Sequence, residues 1–251
     1  MQFNYKAPDT SVNVSSVSPL KRGIQLIASL SIAVLVVYTL LGLLINVLAP
    51  YLPASLETRM GKAILAEWTV EEDDATVESY QEILEKLIGQ EEASVYEIRI
   101  IDMDQVNAFA IPGGFIVFST AFVEAFEDEE TVAFALGHEL GHFMNRDHIK
   151  AYGRSMVLYT ITGLISGEES ASSTLFLDVL SKAEMKFSQS DELKADAYGA
   201  GLLYEAYGSY NGGLEFFDYL RDDYSHGQLA SYFDSHPHPE KRVKELKKLK
   251  N

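Results

Sequence analysis

Residues 23–49 run for 27 positions without a charged side chain. At about 1.5 Å per residue a helix of that length reaches roughly 40 Å, enough to cross a hydrocarbon layer of about 30 Å with some tilt. Uncharged runs this long are rare in the buried helices of soluble domains. A cleaved signal peptide carries an apolar region of only about 7–15 residues. The run therefore reads as a transmembrane helix in contact with membrane lipid, closed by Pro50 and Pro53. Residues 1–22, rich in Ser, Val, Asn and Pro and ending in Lys21-Arg22, read as a flexible N-terminal tail. Lys6, Lys21 and Arg22 precede the run while Arg59 and Lys62 follow it. The positive-inside rule then predicts a single-pass protein of an inner or plasma membrane with its domain on the extracytoplasmic side.

Charge sharpens once the anchor is set aside. The whole chain carries −17, but residues 61–251 alone hold 16 basic and 35 acidic groups. Such a surface repels phosphate backbones, which excludes nucleic acid as a partner, and it steers cationic or unfolded polypeptides instead. With 47% hydrophobic and 23% charged residues the chain has the material for a packed core. The absence of cysteine excludes a disulfide framework, a thiol nucleophile and any cysteine-held metal.

Residues 50–75 read as a linker and the start of the domain, and 76–251 as the domain itself. Apolar positions Val77, Tyr80, Leu84, Leu87 and Ile88 predict a helix behind the acidic run Glu71-Glu72-Asp73-Asp74. Residues 95–101 and 115–118 are rich in β-branched and aromatic side chains and predict strands, with Pro112-Gly113-Gly114 as a turn. From Asp128, a candidate N-cap followed by Glu129-Glu130, the pattern is that of an amphipathic helix. The apolar segment 156–165 is too short to span comfortably and reads as a buried or interfacial helix. Helices are also expected over 191–207, 213–221 and 239–249. The expected fold is α+β: a mainly helical domain with a small sheet.

Inside the Asp128 helix stands His138-Glu139-Leu140-Gly141-His142, an HExxH motif. Residues four apart share a helix face, so two imidazoles converge on one ion while Glu139 reaches a water beside it. Zinc suits two neutral nitrogens, a carboxylate and an open position, with Glu139 as general base. Gly137 and Gly141 each weaken a helix by about 1 kcal/mol relative to Ala, a cost that implies a close approach by something else. For the third ligand the best-placed segment is Asp191-Glu192-Leu193-Lys194-Ala195-Asp196. There Glu192 would bind the ion and Asp196 would accept the free N–H of a ligand histidine. Glu168, Glu184 and Asp191 are rivals that spacing does not remove. His148 and His226 read as ordinary polar residues.

Four segments in order carry a resemblance. They are Asn107-Ala108-Phe109-Ala110-Ile111-Pro112-Gly113-Gly114, the HExxH pentapeptide, Glu192-Leu193-Lys194-Ala195-Asp196, and His236-Pro237 followed by Arg242. Together they resemble the HtpX-like, CAAX-prenyl-protease-related family of membrane-associated gluzincin metallopeptidases, over about residues 107–242. The resemblance implies a gluzincin fold and one Zn2+ per chain, with His138, His142 and Glu192 as ligands, Glu139 as base and Asp196 as the partner behind a ligand. Members with several spans differ from this chain, which has a single apolar run.

His236 lies in a proline-stiffened segment and has two candidate roles: donating to the oxyanion of a tetrahedral intermediate, or occupying the open metal position as a displaceable latch. Arg242 is expected either to anchor this loop or to bind substrate carbonyls. Asn107, Ala108 and Phe109 are expected to bind substrate, residues 107–111 adding an extended peptide as a further strand read mainly through its backbone. These expectations amount to a membrane-anchored zinc metalloendopeptidase that cleaves unfolded or membrane-associated proteins in quality control. A zinc-stabilised chaperone or scaffold without catalysis is one alternative, and a latent peptidase gated by the His236 loop is another.

Overall fold

The computed structural model describes residues 18–71, 73–166, 187–223, 236 and 239–249. Its contacts divide the chain into two units, Met1–Leu41 and Gly42–Asn251.

The apolar run forms α1, Pro19–Leu48. It begins ahead of the uncharged stretch, because Ser18 accepts a hydrogen bond from the Lys21 amide and Pro19 suits the first helical position. The last residues of the expected tail are thus helical, and residues 1–17 lie outside the described ones. Along α1 the large apolar side chains, Leu20, Ile24, Ile27, Leu30 and Leu35 among them, stand exposed. Among the described residues it is the one helix long and apolar enough to cross a membrane.

Ala49–Tyr51 form a short 3-10 turn, and α2, Ala54–Leu65, follows within the stretch read as linker and domain start. Here Gly61 is required by contact: a Cβ would overlap the Pro112 carbonyl and the Phe115 ring. Asp73 caps α3, Asp74–Ile88, by accepting from the Thr76 amide, and Tyr80, Ile83, Leu84 and Leu87 form its buried face. The four-residue α4, Gln90–Ala93, leads into the sheet.

Three strands, β1 Glu97–Ile101, β2 Ala108–Ile111 and β3 Phe115–Ser119, pair in the order β1-β3-β2. Central β3 is parallel to β1 and antiparallel to β2. The Pro112-Gly113-Gly114 turn therefore joins β2 to β3, with Gly113 and Gly114 at φ +93 and +86, where a Cβ is strained. Side chains alternate across the sheet, and both faces are covered. Ile116 and Phe118 pack into one cluster with α3. Phe115 and Val117 pack into the other, with Ile64, Phe109 and Tyr152.

The remaining chain is helical where described: α5 Thr120–Ala125, α6 Glu129–Met144, α7 Asp147–Ser166, α8 Gln189–Tyr207, α9 Asn211–Asp223 and α10 Pro239–Leu249. The apolar stretch 156–165 forms the second half of α7.

Candidate metal centre

Asp128 starts α6 by accepting from the Thr131 amide at 2.8 Å. From Thr131 to His142 every residue of this helix is buried, so it is the central helix of the domain and not an amphipathic surface one. Its neighbour is α8, which begins with a capping box between Ser188 and Asp191 and carries Glu192 and Asp196 on its buried face. The two helices touch backbone to backbone. A Cβ on Gly137 would lie 2.8 Å from the Gly199 Cα, and one on Gly141 would lie 2.7 Å from the Ala195 Cα. This is the close approach that the glycines of the motif imply.

That contact brings four donors together: His138, His142, Glu192 and His236, all buried, with donor atoms within 4.8 Å of one another. His138 Nε2 lies 3.1 Å from His142 Nε2 and 3.3 Å from His236 Nδ1. The Glu192 carboxylate is 3.1 Å from His236 Nδ1, 3.5 Å from His142 Nε2 and 3.8 Å from His138 Nε2. Zinc bonds of about 2.0–2.1 Å in a tetrahedron separate donors by about 3.3 Å, so this set fits one ion. Of the rival ligands, Asp191 is engaged in the capping box, while Glu168 and Glu184 lie outside the described residues.

Behind the donors stand two different supports. His138 Nδ1 donates to Asp196 at 2.9 Å. Arg242 grips that carboxylate through Nε and Nη2, each at 2.7 Å, and its Nη1 lies 2.8 Å from Glu192. The guanidinium is fully buried over the Phe217 ring, so in this structure Arg242 faces protein carboxylates and not an open substrate cleft. Burial pushes the proton affinity of His138 down to about 3, with Arg242 adding to the effect and Asp196 opposing it. Burial likewise opposes charge on His142, but Asp147, Glu192 and Glu139 outweigh it and lift that ring to about 10. His142 donates to Asp147 at 3.3 Å and stacks on Phe187 at 4.0 Å. Sequence reasoning missed both Asp147 and Phe187. The only signal for Asp147 was an acidic residue opening the next helix.

Glu139 sits beside the donors, 3.9 Å from His236 Nε2, and its Oε2 has no hydrogen-bond partner among the described residues. Burial raises its proton affinity above the ordinary carboxylate range, while the His236 and His142 charges pull it back. The Ala110 backbone N–H faces this carboxylate. The Ser119 amide donates to the Asn107 carbonyl and the Asn107 amide to the Ser119 hydroxyl, so the alternation of an antiparallel pair leaves the backbone groups of Ala108 and Ala110 on the outer edge of β2. The side chains of Ala108 and Phe109 are buried in the two clusters. His148 is also buried, edge-on to Phe143, and burial holds it neutral with a proton affinity of about 3. His226 and Pro237 lie outside the described residues.

Comparison with known proteins adds two findings. The model of peptidase family M48 matches residues 71–250. The mitochondrial metalloendopeptidase OMA1 of Arabidopsis thaliana is 29% identical over 159 residues, covering 60% of this chain and 31% of that protein. The chain thus spans about a third of the length of the curated relative it matches.

Proposed function

The chain belongs to peptidase family M48, whose members are metal-dependent peptidases, and from that premise we propose that its buried centre holds a zinc ion and hydrolyses peptide bonds. The observation that carries this reading is the spacing of the His138, His142 and Glu192 donors with Glu139 beside them. Bound zinc supplies Lewis acidity toward a scissile carbonyl and toward water. The chain's own residues do the rest. Asp196 and Asp147 fix the two rings by accepting from Nδ1, which leaves each Nε2 free to face the ion. Glu139 accepts the proton of the attacking water and hands it to the leaving amine, a task suited to a carboxylate whose proton affinity burial has raised. The outer edge of β2 offers the backbone of Ala108 and the carbonyl of Ala110 to an extended substrate, and Asn107 leads into that strand.

Unfolded or membrane-associated proteins are the proposed clients, and α1 is the proposed anchor, holding the domain on the extracytoplasmic side of an inner or plasma membrane. Glu139→Gln tests the reading. The variant should bind one zinc as wild type does and lose about 10²–10⁴-fold in cleavage of an unfolded protein. Retained cleavage would overturn the mechanism. A chaperone or scaffold with a structural ion would have no use for Glu139.

A second reading, latency, is favoured by one observation. His236 turns Nδ1 toward the other donors, 3.3 Å from His138 Nε2, and so takes the place of a fourth ligand. If it is a displaceable latch, His236→Ala raises activity. Lost activity with zinc retained would instead assign it to the oxyanion.

A further inference from the structure

One corner of the chain joins this centre to the segment that follows α1. Helix α6 ends at Met144, Asn145 keeps right-handed backbone, and Arg146 then adopts φ +55. Left-handed backbone is the province of glycine and asparagine, because a Cβ there crowds the following carbonyl. An arginine held in it needs support from elsewhere, and the Arg146 guanidinium finds three acceptors. Its Nε donates to the Ala49 carbonyl at 2.8 Å, and Nη2 donates to the Leu52 carbonyl at 3.5 Å and pairs with Glu57. Ala49 and Glu57 are themselves buried. The same contact extends along α7, where Gly153 sits under Ile45 and Arg154 donates to Asn46 at 3.4 Å.

The next residue is Asp147, which is buried. One of its carboxylate oxygens lies 3.3 Å from His142 Nδ1, and the other lies 3.2 Å from Lys150 Nζ. A tether to the chain leaving α1 and the support of a candidate ligand therefore occupy consecutive residues, Arg146 closing the corner between α6 and α7 and Asp147 opening α7. Moving the first must move the second.

We propose that Arg146 is a positioning residue for His142: the seating of residues 49–57 on its guanidinium holds the left-handed corner, and the corner holds Asp147 against the ring. Metal affinity then depends on how the chain leaves α1. This rests on the metal-centre reading above, and the experiment separates the two.

Zinc affinity of the full chain in detergent is measured against a competing chelator, with thermal unfolding of the metal-free form as a check on folding. Asp147→Asn sets the scale, with an expected loss of about 10–100-fold. Arg146→Gly removes the tether and leaves a corner that adopts left- or right-handed backbone with equal ease, and Glu57→Gln removes the charged partner while leaving the arginine. Both should bind zinc about tenfold more weakly than wild type while remaining folded. Arg146→Lys restores a charge without the planar fork and should recover part of the loss. If Arg146→Gly and Glu57→Gln bind like wild type while Asp147→Asn is weakened, the corner holds Asp147 unaided and the proposal falls. Should Arg146→Gly not fold, Glu57→Gln decides alone. A folded wild-type chain that takes up no zinc overturns the metal centre itself.

Discussion

His138 and His142 stand one turn apart on α6, both buried and both donating through Nδ1 to an aspartate, yet their surroundings drive their proton affinities in opposite directions, to about 3 and about 10. What differs is the next layer. Behind Asp196 lies Arg242, which cancels the carboxylate's charge. Among the described residues the cation beside Asp147 is Lys150, held at its side, and His142 also meets the charges of Glu192 and Glu139. A carboxylate behind a histidine therefore does not by itself set the ring's charge. The net charge of the whole cluster does, because in a buried site the field of a group two contacts away is screened less than in water.

The strongest way to break this contrast is Arg242→Met. Asp196 and Glu192 would then be buried without their cation, which costs about 3–5 kcal/mol. The melting temperature of the metal-free form should fall by on the order of 10 °C. Proton affinity at His138, followed by NMR of the ring, should climb toward that of His142. An unchanged melt would show that Arg242 does not neutralise the pair.

Packing provides a second test on the same side. Gly137→Ala would ordinarily favour a helix by about 1 kcal/mol, but here the new Cβ meets the Gly199 Cα. The prediction is a net loss of about 1–3 kcal/mol by denaturant titration, together with weaker zinc binding as α8 is pushed away with Glu192. A stabilised variant would mean that the two helices yield easily.

The smallest effect is the sharpest. In the metal-free form His142 carries a proton at neutral pH, since its affinity is raised to about 10. Zinc must displace that proton, so binding should strengthen about tenfold per pH unit from neutrality until pH passes about 10. His138, neutral above about pH 4, adds nothing to the slope. Calorimetry in buffers of different ionisation enthalpy should find about one proton released per zinc, and Asp147→Asn should reduce that number. Binding without proton release would refute the contrast between the two rings.

Several parts of the centre were legible in the sequence because their geometry is local. His138 and His142, four apart on a helix, must share a face, as must Glu192 and Asp196. The uncharged run located α1, and Asp128 marked the start of α6 by its own side chain. Residues 54–65 were harder to read. Their buried positions, Glu57, Gly61 and Ile64, are a charge and a glycine beside one apolar residue, because what they cover is a turn and an arginine instead of a continuous apolar face. Likewise β2 is only four residues long, and its pairing with β3 depends on partners four to ten positions on.

By itself, then, the sequence determined a long apolar N-terminal helix and a helix presenting two histidines and a glutamate, since both follow from periodicity and composition along a single stretch of chain. Tertiary structure decided, among the roles the sequence left open for them, that His236 joins the donors and that Arg242 turns inward to neutralise Asp196, and it alone brought Arg146, in a left-handed corner beside Asp147, to the segment after α1. Each of those depends on segments some 40 to 100 residues apart meeting in a low-dielectric interior, where charge and distance are set by packing and no local pattern records them.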